Sequence, residues 1–285
     1  MKTKNLLKYL MVAATAGILF TACKKEEITP TPAIVDNDTE GASDNALAES
    51  AFNDAGNISD QAASGGLTSY LSASNSSDER GILSSCATIT HDTTTSPRTI
   101  IIDFGTTNCL CSDGRYRRGI INVSYSGHYR DSASVHTITF TNFYVNNNNV
   151  AGSKSVTNNG HNNNGNLTFT ITISGTIIKA NNGGTISFTS NRLREWTEGE
   201  GTSMWMDDVY LITGTANGSH SNGNSFTAVI TTALKIKLNC HHIVSGGLDL
   251  TPSGKPTRSI DWGNGTCDNQ ATVTINGNVH NITLH

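Results

Sequence analysis

Apolar and polar residues alternate one for one along Thr137-Ile138-Thr139-Phe140, Thr168-Phe169-Thr170-Ile171-Thr172-Ile173 and Lys235-Ile236-Lys237-Leu238. Side chains on a strand point to opposite faces in turn, so each segment predicts an antiparallel strand with one buried and one wet face. Asn181-Asn182-Gly183-Gly184, Asn222-Gly223-Asn224 and Asn276-Gly277-Asn278 separate such runs; Asn and Gly accept the positive φ of tight hairpin turns. The Asn-rich stretch 146–166 reads as an exposed hairpin with a long loop. About a dozen short strands with no crossover helix predict one all-β domain over 84–285, an antiparallel sandwich or partly closed barrel. Before it, Leu47, Ala51, Ala55, Ile58 and Ala62 recur at spacings of three and four, which predicts a short N-terminal helix with Asp44 as N-cap and a thin, Ala-rich apolar face. Residues 44–83 are thus a helical lead-in and loop.

The first 43 residues follow neither period. Lys2, Lys4 and Lys8 precede an almost unbroken apolar run from Leu10 to Phe20, and Thr21-Ala22-Cys23 follows. The run is short of the roughly 20 residues needed to cross a hydrocarbon core, so 1–22 reads as a cleaved signal. Phe20-Thr21-Ala22-Cys23 resembles the lipobox of bacterial lipoproteins, with Phe20 where that pattern usually has Leu. The resemblance implies that Cys23 is lipidated and becomes the first mature residue, several acyl chains giving a lasting membrane anchor. Lys24-Lys25-Glu26-Glu27 is similar to the lysine and acidic export tag of surface-exposed Bacteroidetes lipoproteins, which implies the outer membrane with the domain facing outward. Residues 23–43, with Thr-Pro-Thr-Pro at 29–32, form the anchor and a flexible tether.

Charge narrows the partners. Losing residues 1–22 removes three lysines and no acids, taking the formal charge from −4 to −7. Nucleic-acid affinity is built from Lys and Arg on phosphates, so nucleic acid is excluded as a partner.

Two segments echo each other. Ile102-Asp103-Phe104-Gly105 leads to Cys109, and Ile260-Asp261-Trp262-Gly263 leads to Cys267; each is preceded by an Arg (Arg98, Arg258) and an earlier Cys (Cys86, Cys240). In an oxidising compartment cysteines pair, and the echo selects Cys86–Cys109 and Cys240–Cys267, with Cys111 left over or exchanging with Cys109 on the same strand face. The closing stretch from Ile260 through Cys267-Asp268-Asn269 to Leu284 also resembles the C-terminus of uncharacterised Bacteroidetes surface lipoproteins, a resemblance that brings no activity with it.

No His-Glu-x-x-His, Gly-x-Ser-x-Gly, phosphate loop or dinucleotide fingerprint is present. Cys240-His241-His242 has metal-ligand residue types, but neighbours on a strand face opposite ways. The strongest candidate is Arg194-Glu195-Trp196-Thr197-Glu198 with Trp205, Asp207 and Asp208. Tryptophan stacks on sugar faces and carboxylates bind hydroxyls or calcium, so Trp196, Trp205, Glu195, Glu198, Asp207 and Asp208 are candidate ligand-binding residues for a glycan, with Ca²⁺ as the candidate ion. A glycosidase would need two of these carboxylates facing each other across a cleft. The alternative is a hairpin whose tryptophans cap the core. Arg115-Tyr116-Arg117-Arg118 with His128, Tyr129 and Arg130 is a second candidate, a grip for acidic polysaccharide or lipid phosphate. Together these patterns favour a non-catalytic surface module for glycan or protein, or an envelope-structural one. The alternatives are a glycan hydrolase using 195–208 and an apolar-ligand carrier, which needs a sizeable cavity.

Overall fold

A computed structural model describes residues 39–63, 86–202, 204–240 and 242–283. The signal segment, Cys23, the export tag and the expected loop to residue 83 lie outside the described residues. Helix α1 (Glu40–Ala63) precedes fourteen strands: β1 (Thr88–Asp92), β2 (Arg98–Asp103), β3 (Cys109–Leu110), β4 (Tyr116–Tyr125), β5 (Val135–Val145), β6 (Asn148–His161), β7 (Leu167–Ile178), β8 (Thr185–Glu198), β9 (Val209–His220), β10 (Ser225–Lys237), β11 (Ser245–Pro252), β12 (Arg258–Asn264), β13 (Gln270–Ile275) and β14 (Asn278–Thr283). All belong to one antiparallel sheet in which each strand pairs with its sequence neighbours; β3 alone steps aside, so that β2 meets β4.

The predicted all-β antiparallel class with a short N-terminal helix is therefore met, in the form of one sheet that is not closed into a barrel. Among the described residues there is no second sheet, and β1 and β14 do not pair. The helix takes the place of a second layer. It touches strands from β2 to β11, and Phe52 at its centre packs against both Phe140 on β5 and Phe188 on β8. The sheet thus curves around α1.

Local sequence explains the strands. On β7, Phe169, Ile171, Ile173 and Ile177 are buried while Thr172 and Ser174 face solvent, the alternation a half-buried strand requires. Asn146-Asn147, Asn181-Asn182 and Asn276-Gly277 adopt positive φ at their hairpin turns, the conformation of type I′ turns. The first of these corrects the expected long loop at 146–166. Most of that stretch is β6, bounded by tight turns, with Lys154, Val156 and Asn158 buried on the inner face and Ser153, Ser155 and Thr157 alternating with them.

The helix begins at Glu40, with the Thr39 carbonyl accepting from Ser43 N–H. Asp44 is consequently inside the first turns, not an N-cap, and the tether ends earlier than expected. The buried face of α1 is small: Ala48, Ala51, Phe52, Ala55, Ile58 and Ala62. Burying Phe52 or Ile58 contributes about 1.5–3 kcal/mol each, and alanines contribute less. Charge supplies the rest of the fit. The helix carries five acids and no base. Glu40 accepts from Asn222 and Asn224, Asp44 pairs with Lys179 at 2.8 Å, Glu49 with Arg192 at 2.6 Å, and Asp54 with Arg117 at 2.6 Å. Asp60, the last, stands in the field of Arg194 and Lys154.

The echo is one device used twice. Asp103 and Asp261 each accept the N–H of the glycine two residues on at 2.7 Å, and Gly105 and Gly263 have φ of 77° and 80°. Disulfides Cys86–Cys109 and Cys240–Cys267 close the bases of the β1–β2 and β11–β12 hairpins. Cys111 is a buried free thiol. The copies differ inside: Arg258 is buried and Arg98 is exposed.

Candidate functional site

The residues singled out at 194–208 are near one another in sequence but turn to different partners. Alternation along β8 puts Ile186, Phe188, Ser190, Arg192, Arg194 and Trp196 on the inner side. Trp196 is accordingly buried, at 5 % exposure, in a small second core with Val156, Leu167, Phe169 and Ile171. Its indole N–H donates to the Glu198 carbonyl at 2.8 Å, and the Arg130 guanidinium lies 4.6 Å from its ring centre. It caps a core and offers no open face to a sugar. Glu195, on the other side of the strand, accepts from Asn162 and Asn166 at 2.8 and 2.7 Å and so ties down the β6–β7 turn; these bonds hold its pKa below the usual value.

The remaining acids scatter likewise. Glu198 is exposed, 3.5 Å from Lys235. Asp207, at the end of a single 3-10 turn (Trp205–Asp207), takes both its contacts from the Thr202 hydroxyl at 3.0 Å. Asp208 is buried and accepts from the Tyr210 hydroxyl at 3.4 Å; burial pushes its carboxyl up, and the neighbouring Asp207 adds to this. The side chain of Trp205 lies outside the described residues. Among the described residues no group of three His, Cys, Asp or Glu side chains could hold a metal ion.

The basic patch disperses too. Arg117 is fully buried between two carboxylates: Nε and Nη2 donate to Asp54 at 3.1 and 2.6 Å, Nη1 and Nη2 to Asp113 at 2.8 and 2.6 Å. Arg118 stacks on Tyr144 and donates to Asn108 and Asn147. Arg130 covers Trp196 and donates to the Glu200 carbonyl.

Two features that sequence reasoning passed over stand out instead. The first is the outward face of the sheet. Cross-strand register lines up Ser153, Ser174, Thr189, Asn217, Thr227 and Thr251 across β6 to β11. Neighbouring strands lie about 4.8 Å apart, so this is a continuous ladder of uncharged hydroxyl and amide groups. It ends in an open depression of about 680 Å³, where Asn217, Thr227 and Thr251 are joined by Phe226, Pro252 and Lys255.

The second is a buried charged cluster near the end of α1. Arg194 lies 4.6, 5.0 and 5.5 Å from the ring centres of Phe169, Tyr210 and Tyr129. Its Nε and Nη2, Nη1 of Arg192 and Oγ of Ser190 are buried without hydrogen-bond partners. Lys154 reaches the Phe52 carbonyl and Asn53 Oδ1, both at 3.2 Å; burial lowers its pKa against the pull of Asp60 and Glu49. Burial likewise raises Asp60, opposed by Arg194, Lys154 and His136. His136 is lowered by burial, with Asp60 opposing. Alternation alone would have put Arg192 and Arg194 on the face of Phe188.

No family model, curated protein or solved structure matches this chain.

Proposed function

We propose that the chain is an outer-membrane-anchored surface lipoprotein whose sheet domain is a non-catalytic binding or envelope-structural module, with glycan as the ligand class. The observation that carries the binding reading is the ladder from Ser153 to Thr251 and the depression at its end. Sugar hydroxyls exchange hydrogen bonds readily with hydroxyl and amide side chains. Catalysis draws no support from Glu195, Glu198, Asp207 and Asp208, because each is engaged with a different partner. An apolar-ligand carrier draws none from the inner face, which α1 fills. The anchor rests on Cys23 and its flanks.

Three measurements test this. Labelled palmitate should enter the chain in cells and be lost in Cys23→Ala, and protease added to intact cells should digest the domain. On a panel of immobilised glycans, Asn217→Ala with Thr227→Ala should weaken retention at least ten-fold. Retention by no glycan, together with capture by a surface protein, would replace glycan by protein as the ligand.

A further inference from the structure

We infer that the outer edge of β14 is a self-association surface, on which a second copy of this chain adds its own β14 antiparallel about a two-fold axis, so that two sheets continue as one. The last strand of a sheet presents a row of N–H and C=O groups on one side, a template for another strand. Among the described residues β14 pairs with β13 alone. Native edges carry devices against such pairing: lysine or other charges, proline, or a bulge. The last hairpin has none of them. From Gln270 to Thr283 there is no Asp, Glu, Lys, Arg or Pro, and the β13–β14 register runs unshifted from Gln270↔Thr283 to Ile275↔Asn278. The opposite edge, β1, is shorter and carries Asp92.

Topology selects the partner. Thirteen strands lie on the path from β1 to β14, each antiparallel to the next, so the two edges run in the same direction. In a sheet that keeps its faces, β14 can therefore meet a β1 edge only in parallel. A two-fold axis normal to the sheet sets β14 against β14 antiparallel, the slightly stronger pairing, with the same patch used by both copies. Because the strand carries no acid, lysine or arginine, that symmetry opposes no like charges of these groups. Packing points the same way. Helix α1 reaches strands from β2 to β11, so the last hairpin extends past it. All of β14 except Ile282 is exposed, Val279 at 63 %. Val273, Ile275 and Ile282 share a side with buried Ala271 and are only half-buried. Pairing brings this apolar stripe next to its copy. The contact is one strand wide, smaller than a standard interface, so the association is weak and concentration-dependent. This edge is separate from the outward ladder and does not depend on the glycan reading.

The test is hydrogen exchange by mass spectrometry on the full chain in detergent, with sedimentation alongside, from roughly 1 μM to roughly 1 mM. Exchange across residues 276–283 should slow at least ten-fold as the dimer forms, while that of β1 stays unchanged. Val279→Lys with Asn281→Lys changes two exposed positions and sets lysines of one copy against those of the other. It should weaken the dimer at least ten-fold and leave the unfolding midpoint unchanged, and Thr90→Lys on β1 should leave the dimer intact. If the double variant does not fold, the concentration dependence of the unaltered chain decides. A monomer at every concentration would overturn the proposal, and so would loss of the dimer in Thr90→Lys. Full protection of 276–283 already at the lowest concentration, in a monomer, would overturn it too, because the edge is then covered within one chain.

Discussion

Arg117 and Arg194 both approach α1 from the inner side of the sheet, yet they are solved in opposite ways. Arg117 has two carboxylates around one guanidinium, Asp54 from the helix and Asp113 from the turn before β4. Arg194 has three aromatic rings and a bare donor edge. Burying a charge is costly unless it is paired and hydrogen-bonded. The first site is complete and serves cohesion. The second keeps its cation through ring faces, which attract it without consuming an N–H.

The largest effect should come from breaking the complete site. Arg117→Met takes from Asp54 its buried partner and leaves it the more exposed Arg115 at 3.2 Å; it should lower stability by about 3 kcal/mol in urea unfolding, and adding Asp54→Leu should restore most of it. If the double variant is as unstable as the single one, pairing is not what Arg117 contributes. Next, Cys86→Ser with Cys109→Ser removes the bridge whose Cys109 lies opposite Arg117 in the β3–β4 register; the expected loss is about 3 kcal/mol in the chain-entropy model. Arg194→Met should cost under about 1 kcal/mol, or even stabilise, because an apolar side chain suits those rings. A loss equal to that of Arg117→Met would erase the contrast.

The Arg194 end should also respond to pH. The folded state holds His136 below its ordinary 6.5, so below pH 6.5 the unfolded chain takes up the proton first. Stability should therefore fall as pH drops from 6.5 toward the depressed folded pKa, and His136→Gln should flatten that slope in unfolding midpoints measured between pH 5 and 7. Smallest of all, Glu195→Gln should change stability by under about 1 kcal/mol, since its bonds to Asn162 and Asn166 tie a surface turn.

The strands were legible because one-for-one alternation and Asn-rich turns are local signals, and the two bridges because Ile-Asp-aromatic-Gly-Cys recurs. The helix start was misplaced because Asp44 has the residue type of a cap. Its actual role, pairing with Lys179, depends on a residue 135 positions away. Trp196 and Glu195 looked like one site in sequence; as strand neighbours they had to face opposite ways, so proximity along the chain misled. The bare edge of Arg194 had no local signal. It arises because Tyr129, Phe169 and Tyr210 converge from three separate segments.

The order of elements along the chain also has a kinetic consequence. The strands pair almost entirely with their sequence neighbours, so the sheet can grow hairpin by hairpin with little loop entropy to overcome. Helix α1 comes first in the chain, but its partners lie 63 residues away at Arg117, 143 at Arg192 and 182 at Asn222. Docking of the helix is thus the step that waits for nearly the whole polypeptide. Substitutions at its contacts should accelerate unfolding far more than they slow folding, with φ-values near zero.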